Sequence, residues 1–465
     1  MPEKSYRSPL LTDLYELTMA AAYFENHINA TASFELSVRT LPRERTYLLV
    51  AGLEQALDFL ETMEFKPVEI DFLRRHPVFR HVGDSFFDCL KALRFSGEVW
   101  AIPEGTPVFA QEPLLRVTAP IIEAQIVETF LLTSLTFQTL IATKAARVVE
   151  AAQGRGVVEF GSRRAHGPEA GVLAARAAYI GGCIGTSNVE AGLCFDIPTY
   201  GTVAHSFVMA YDSEEESFRQ FQRIFPEHAV LLVDTYGDAL AAIDKIIQSG
   251  LHPRGVRLDS GDLVELSKKV RRRLDTCGLD DTKIFASGDL DEFAISEALA
   301  RGAPVDIFGV GTALATSKDA PALGGVYKLV ETRSDEQPHY SAKFSQNKFT
   351  YPGCKQVFRF CDPQGAYDHD LIGRAGEYKE DAETLLTCVM RDGRRTSASP
   401  PLDQIRERAR HTLGRLPKRY HQLCNAVPYP VSVSAALEEL MKAVQRTMLE
   451  AGKKPICTCD PHSKN

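Results

Sequence analysis

Long apolar runs are missing from this chain. None of its 465 residues lies in a stretch approaching the roughly 18 apolar residues that a membrane helix needs. A basic excess is missing too. Lys and Arg total 53 against 61 Asp and Glu, a formal net charge of −8. That balance argues against nucleic acid as a main partner, because neutralising phosphates takes a basic footprint. A local basic pocket for a small anion is still compatible with it. The opening MPEKSYRSPLLTDLYELT has no apolar core of the kind a signal peptide carries. The ten cysteines are scattered and read as reduced thiols, so a cytoplasmic protein is expected. Cys457-x-Cys459 with His462 lacks the paired spacing of zinc folds, and Cys354 and Cys361 do not supply it.

What is present is ordinary for a globular protein: 44% hydrophobic and 25% charged residues. The length predicts two or three domains. Residues 10–25 have helical periodicity, with Thr12 or Asp13 as cap. Residues 33–40 alternate like a strand, 42–45 are a charged loop, and 47–63 read as a helix. Residues 97–118 read as two or three short strands. A long helical region covers 123–152, and the strand-like VVEF (157–160) runs into GSRRAHG.

From 228 onward a βα rhythm of roughly 25 to 30 residues sets in. Strand-like segments open at 228, 255, 283 and 305, separated by helical patterns. No Gly-x-Gly-x-x-Gly follows the first of them, which favours an α/β barrel over a Rossmann sheet. None of these four strands ends in a lysine, which argues against a Schiff-base aldolase. After about 340 the rhythm stops. Residues 343–373 look β-rich, 391–403 form a loop, and 434–451 form an amphipathic helix before a mobile tail. The expected division is an α+β domain (1–125), an α/β barrel with the active site (126–340), a β-rich return joining the N-terminal domain (341–430), and a terminal helix with tail (431–465).

Barrel chemistry sits at the C-terminal ends of strands. Here those ends carry Phe160–Arg164, Asp234, Arg257–Asp262, Ser287–Asp291 and Gly309–Thr312. The GVGT turn suits close approach to a phosphate, though it also reads as a simple tight turn. Asp259, Asp262 and Asp289 suit a ribose diol or Mg²⁺, or the capping of helices. Arg163 and Arg164 match carboxylate or phosphate geometry, or surface salt bridges. Phe160 suits ring stacking or core packing, and Tyr15 core packing. His205 follows a small-residue turn in GTVAHSF; a lone histidine there is as readily structural. Lys144 and Arg147, on a helix, are expected to be solvated.

Together these strings resemble the nicotinate phosphoribosyltransferases. LLTDLYELTM (10–19), PEGTPVF with EPLLRV (103–117), EAQIVET (123–129), EFGSRRAHG (159–167), GTSNVEAG (185–192), GTVAHSF (201–207), VRLDSGDL (256–263), FGVGTAL (308–314) and GGVYKLV (324–330) look like family signatures, in family order. The resemblance implies an irregular α/β barrel of the type II phosphoribosyltransferase kind, plus an α+β domain built from both chain ends. It implies nicotinate and 5-phosphoribosyl 1-pyrophosphate as substrates with Mg²⁺, nicotinate mononucleotide as product, and ATP hydrolysis coupled through a phosphohistidine at His205. Phe160 would stack on the pyridine, with Tyr15 arriving from the second subunit of a homodimer. Arg163 and Arg257 would face anions, with Arg257 and Thr202 near nicotinate or phosphate. Asp259, Gly288, Asp289, Gly311 and Thr312 would hold the ribose and its 5-phosphate, with Asp259 and Asp289 the Mg²⁺ ligands.

In the related nicotinamide-using enzyme an Asp stands where this chain has Ser187. A carboxylate there would repel nicotinate, whereas a hydroxyl donates to it. The expected base is therefore nicotinate. The alternatives are nicotinamide or quinolinate as base, a non-catalytic nucleotide-binding protein on this scaffold, and a barrel isomerase acting on a sugar phosphate.

Overall fold

The computed structural model describes residues 8–334, 337–343 and 350–450. Its centre is a six-stranded parallel sheet in the order Gly185–Thr186, Gly156–Glu159, Ile307–Val310, Lys283–Ala286, Gly255–Leu258, Val230–Leu232. The strands are short and rich in Val, Leu and Ile, as a sheet covered on both faces requires. Val157, Leu231, Val256, Ile284 and Phe308 are all buried in one core with the surrounding helices. Register sets Glu159 beside Val310, Phe308 beside Ala286, and Ala286 beside Leu258. The C-terminal ends therefore share one rim. Beyond Thr186 the edge is extended by a parallel bridge to Thr199. Among the described residues no ladder joins that edge to Val230–Leu232. The result is an irregular α/β barrel.

Three helices that follow these strands start the same way. Asp238, Asp262 and Asp291 each accept two backbone N–H bonds at the head of Ala239–Gln248, Leu263–Thr276 and Glu292–Ala300. Asp262 is thus a helix cap, which leaves Asp259 and Asp289 as the rim carboxylates of the original trio.

A seven-stranded antiparallel sheet draws on both ends of the chain. Its order is His339–Tyr340, Gly325–Arg333, Thr31–Val38, Pro113–Pro120, Glu98–Ala101, Thr387–Arg391, Arg394–Arg395. Gly325–Arg333, expected within the barrel, belongs here, paired along Thr31–Val38. Aromatic packing holds it: Tyr327 stacks on Phe34 at 4.9 Å, and its hydroxyl donates to the Ala124 carbonyl at 2.8 Å. A four-stranded sheet (Ala382–Thr384, Lys355–Cys361, Tyr367–Arg374, Val431–Val433) lies beyond. The helix Leu402–Arg415, inside the expected β-rich return, packs its Ile405 and Ala409 into the barrel core.

Several local expectations shift. Leu48–Leu49 is a strand paired with Pro107–Val108, and the helix begins only at Leu53. Gly52 separates them at φ +97, where an added Cβ would lie 2.3 Å from the Ser134 carbonyl oxygen. The long helix breaks at Val127 into Ile121–Ile126 and Glu128–Ala151. Asp13 holds the cap position of Leu14–Glu25 without a side-chain capping bond.

Lys144 and Arg147 are buried, contrary to expectation. Lys144 Nζ lies 2.5 Å from Glu292 and 2.7 Å from Asp319, and Arg147 Nε lies 3.1 Å from Glu292. Their helix runs through the core, so the charges are satisfied by partners instead of water. No helix among the described residues is long and apolar enough to cross a membrane. Cys457, Cys459 and His462 lie outside the described residues.

Candidate active site

The strand ends surround a cavity of about 580 Å³ at the barrel rim. Phe160, Arg163, Ser187, Thr202, His205, Arg257, Asp259, Gly288, Asp289, Gly311 and Thr312 all line it. Tyr15 does not; it is exposed on the helix Leu14–Glu25. Residues from six separate segments converge because the parallel register levels their strand ends.

Arg257 is the hub. It is the third residue of Gly255–Leu258, and its guanidinium bonds three neighbours. Nε donates to Ser287 Oγ at 2.8 Å, Nη1 to Thr202 Oγ1 at 2.8 Å, and Nη2 to Asp259 Oδ1 at 2.6 Å. The same cation lies 5.8 Å from the centre of the Phe160 ring. Burial pushes the Asp259 carboxyl up, but the Ser287 hydroxyl and Arg257 outweigh it and hold it below the usual range. The loop of Asp259 is anchored from below. Asp234 Oδ2 accepts its backbone N–H at 2.9 Å and the Ser260 hydroxyl at 2.6 Å.

Two glycines let these loops crowd together. Gly288 adopts φ +94, and a Cβ there would sit 2.2 Å from the Asp259 carbonyl oxygen. At Gly309 a Cβ would lie 2.6 Å from the Phe160 ring. Phe160 is thus backed by bare backbone, which seats its ring beside the cavity. Asp289 follows Gly288 at φ +43 and is exposed.

Arg163 and Arg164 are exposed on the turn Ser162–Arg164. Neither makes an ion pair among the described residues, so both are free to meet an anion from the cavity. Ser187 is exposed, and its backbone N–H donates to the Glu159 carbonyl at 2.9 Å. His205 opens the short helix His205–Met209, with Nδ1 3.2 Å from Thr235 Oγ1. A donating Nδ1 leaves Nε2 with its lone pair.

The described residues hold no group of three or more His, Cys, Asp or Glu side chains placed to bind a metal. Asp259 and Asp289 are two carboxylates on one cavity. That donor set suits Mg²⁺, which keeps water and substrate oxygens in its shell and takes only one or two carboxylates from protein.

Thr235 and Tyr200 also belong to the site, Thr235 through His205 and Tyr200 as a wall of the cavity. Both adjoin positions the sequence singles out, Tyr200 before GTVAHSF and Thr235 after Asp234, but neither is itself named as a site residue. Glu159, which opens EFGSRRAHG one position before Phe160, is a third.

Three family models match the chain: the nicotinate phosphoribosyltransferase N-terminal domain over residues 10–136, the nicotinate phosphoribosyltransferase family over 156–332, and its C-terminal domain over 378–441. The chain belongs to the nicotinate phosphoribosyltransferase family. The family's match over 156–332 takes in every residue named above as lining the cavity. Among curated relatives, nicotinate phosphoribosyltransferase pncB2 of Mycobacterium tuberculosis is 46% identical over 442 residues, covering 93% of each chain. Nicotinate phosphoribosyltransferase of Bacillus subtilis is 37% identical, covering 91% of this chain and 92% of its own. The crystal structure of human nicotinic acid phosphoribosyltransferase superposes with a TM-score of 0.81 at 28% identity, covering 93% of this chain and 99% of its own.

Proposed function

We propose that this chain is an enzyme joining nicotinate to C1 of 5-phosphoribosyl 1-pyrophosphate. The products are nicotinate mononucleotide and pyrophosphate, the entry of nicotinic acid into NAD synthesis. The observation that carries this reading is the pairing of an aromatic face and a guanidinium in one cavity, Phe160 with Arg257 at 5.8 Å. A pyridine is flat and electron-poor, so it stacks on Phe160. Its carboxylate has Arg163, Arg257 and the Ser187 hydroxyl as partners.

The reaction follows from that placement. The pyridine nitrogen lone pair attacks C1 of the ribose as the C1–O bond to pyrophosphate breaks. The transition state carries positive charge on the sugar, and the carboxylates of Asp259 and Asp289 face it. Gly288, Gly311 and Thr312 allow the ribose 5-phosphate close to backbone. Mg²⁺ held by Asp259 and Asp289 would neutralise charge on the leaving group.

The same reading includes ATP as co-substrate. Nε2 of His205 takes the γ-phosphoryl group, ADP leaves, and water later releases phosphate from the phosphohistidine. We place Tyr15 opposite Phe160 from the second subunit of a homodimer. Leu11, Leu14 and Tyr15, each nearly half exposed, are an apolar group that such a dimer would cover. We further place the enzyme in the cytoplasm.

Nicotinamide as the base is disfavoured by Ser187, which offers its amide no carboxylate. The test is to incubate the protein with Mg²⁺, 5-phosphoribosyl 1-pyrophosphate and nicotinate, nicotinamide or quinolinate, with and without ATP. Mass spectrometry should find nicotinate mononucleotide, formed faster with ATP. No mononucleotide from any base would leave a non-catalytic nucleotide-binding protein. Product without ATP stimulation would remove the coupling alone.

A further inference from the structure

Glu159 ends the strand Gly156–Glu159 and is fully buried. It makes no ion pair among the described residues. Burying a carboxylate without a cation is costly, and it persists only where hydrogen bonds repay it. Both of its oxygens are used. Oε2 accepts from the Thr186 hydroxyl at 2.6 Å, and Oε1 accepts from the Gly161 backbone N–H. Burial pushes the carboxyl up, and those two bonds hold it back.

The partners belong to neighbouring strand ends on the rim, Glu159 standing beside Thr186 in the parallel ladder. Gly161 belongs to the turn that carries Phe160 and Arg163. Thr186 precedes Ser187. The Glu159 carbonyl accepts the Ser187 N–H at 2.9 Å. Thr186 Oγ1 in turn accepts the Asn188 N–H at 3.0 Å, and Asn188 Nδ2 donates to Ser162 Oγ at 3.0 Å. A closed ring of bonds therefore joins 159–162 to 186–188. Gly161 leaves no slack, since a Cβ there would lie 2.3 Å from the Ala315 Cβ and 2.9 Å from Glu159 Oε1.

We infer that Glu159, acting with Thr186, is the positioning residue of the base site: it sets the separation between the Phe160–Arg163 wall and the Ser187 wall. The inference rests on the nicotinate reading above. Only the fit of the base should depend on this ring, since the groups placed on the ribose and its phosphate lie on other strands.

Steady-state kinetics of the full chain test it. Thr186→Val keeps the shape and removes the donor, which leaves the buried carboxylate short of a partner. KM for nicotinate should rise about tenfold, with kcat and KM for 5-phosphoribosyl 1-pyrophosphate held within about twofold. Thr186→Ser, which retains the hydroxyl, should return to within about twofold of wild type. Glu159→Gln should behave like Thr186→Val, and its effect should shrink in the Thr186→Val background because the two share one bond. Should Glu159→Gln fail to fold, the Val and Ser pair at 186 decides. Equal rises in both KM values, or no recovery with Ser, would overturn the positioning role. Unchanged kinetics in Thr186→Val with an active wild type would do the same. A wild type inactive on nicotinate would sink the functional reading and this inference together.

Discussion

Arg257 and Asp259, two residues apart at the end of one strand, form an ion pair at 2.6 Å. The remaining arms of the guanidinium hold Ser287 from the next strand end and Thr202 from the loop before His205. One side chain thus spans three segments of the rim. A planar fork can do this and an ammonium cannot.

Arg257→Lys should therefore lose about 100-fold in kcat/KM for nicotinate. It should also move the pH profile. In the wild type the lowered Asp259 carboxyl stays ionised as pH falls through the ordinary carboxylate range, and its contribution is lost only below that range. In the variant the acid limb should shift upward. A pH series of kcat/KM for both proteins checks both effects.

Gly309→Ala places a methyl 2.6 Å from the Phe160 ring. The ring must tilt or the strand must shift, at about 1–3 kcal/mol of stability. KM for nicotinate should rise more than KM for 5-phosphoribosyl 1-pyrophosphate. Thermal melts and paired kinetics would show it; equal KM values would mean the ring is not the stacking face.

Ser187→Asp should lower kcat/KM for nicotinate by at least about tenfold, since an unpaired carboxylate would face the substrate's own. It should also raise turnover of nicotinamide, whose amide can donate to Asp. Competition assays with the two bases measure the ratio. Unchanged selectivity would remove Ser187 from base choice.

His205→Ala should abolish ATP stimulation and leave slower ATP-independent transfer, because the imidazole takes no part in the C1–O bond that breaks. Acid-labile label from γ-labelled ATP should appear on the wild type only. Persisting stimulation in the variant would rule out the phosphohistidine.

Asp319 accepts Arg45 and Lys144, both at 2.7 Å. Burial pushes its carboxyl up, but Lys144 and Arg45 outweigh it and lower it from 3.8 to about 2. Its stabilisation is complete above 3.8 and lost as pH falls through about 2. Asp319→Asn should thus destabilise the protein by about 1 kcal/mol at neutral pH, a modest figure because the carboxylate is partly exposed. The gap to wild type should narrow as the solution is acidified, which denaturant melts over a pH series would reveal.

The βα rhythm after 228 was legible because three of its four short apolar strands are followed by an aspartate cap and a helix. The rim motifs were legible for the same reason: glycine-rich and charged turns at strand ends are local patterns. The departures came from long-range contacts. Lys144 and Arg147 looked solvated on their helix, and only Glu292 and Asp319, more than a hundred residues away, make their burial affordable. Gly325–Arg333 continued the barrel in sequence and pairs in space with Thr31–Val38.

The sequence by itself determined the alternating elements after 228, the capped parallel units and the set of groups offered at the strand ends, since these depend on residues within a few positions of one another. Only the tertiary structure decided which groups meet. It set Arg257 against Thr202 and Ser287, put Glu159 between two walls of one cavity, and left Tyr15 outside it. Those pairings join residues 27 to 55 positions apart, and packing, not local propensity, chooses among such partners.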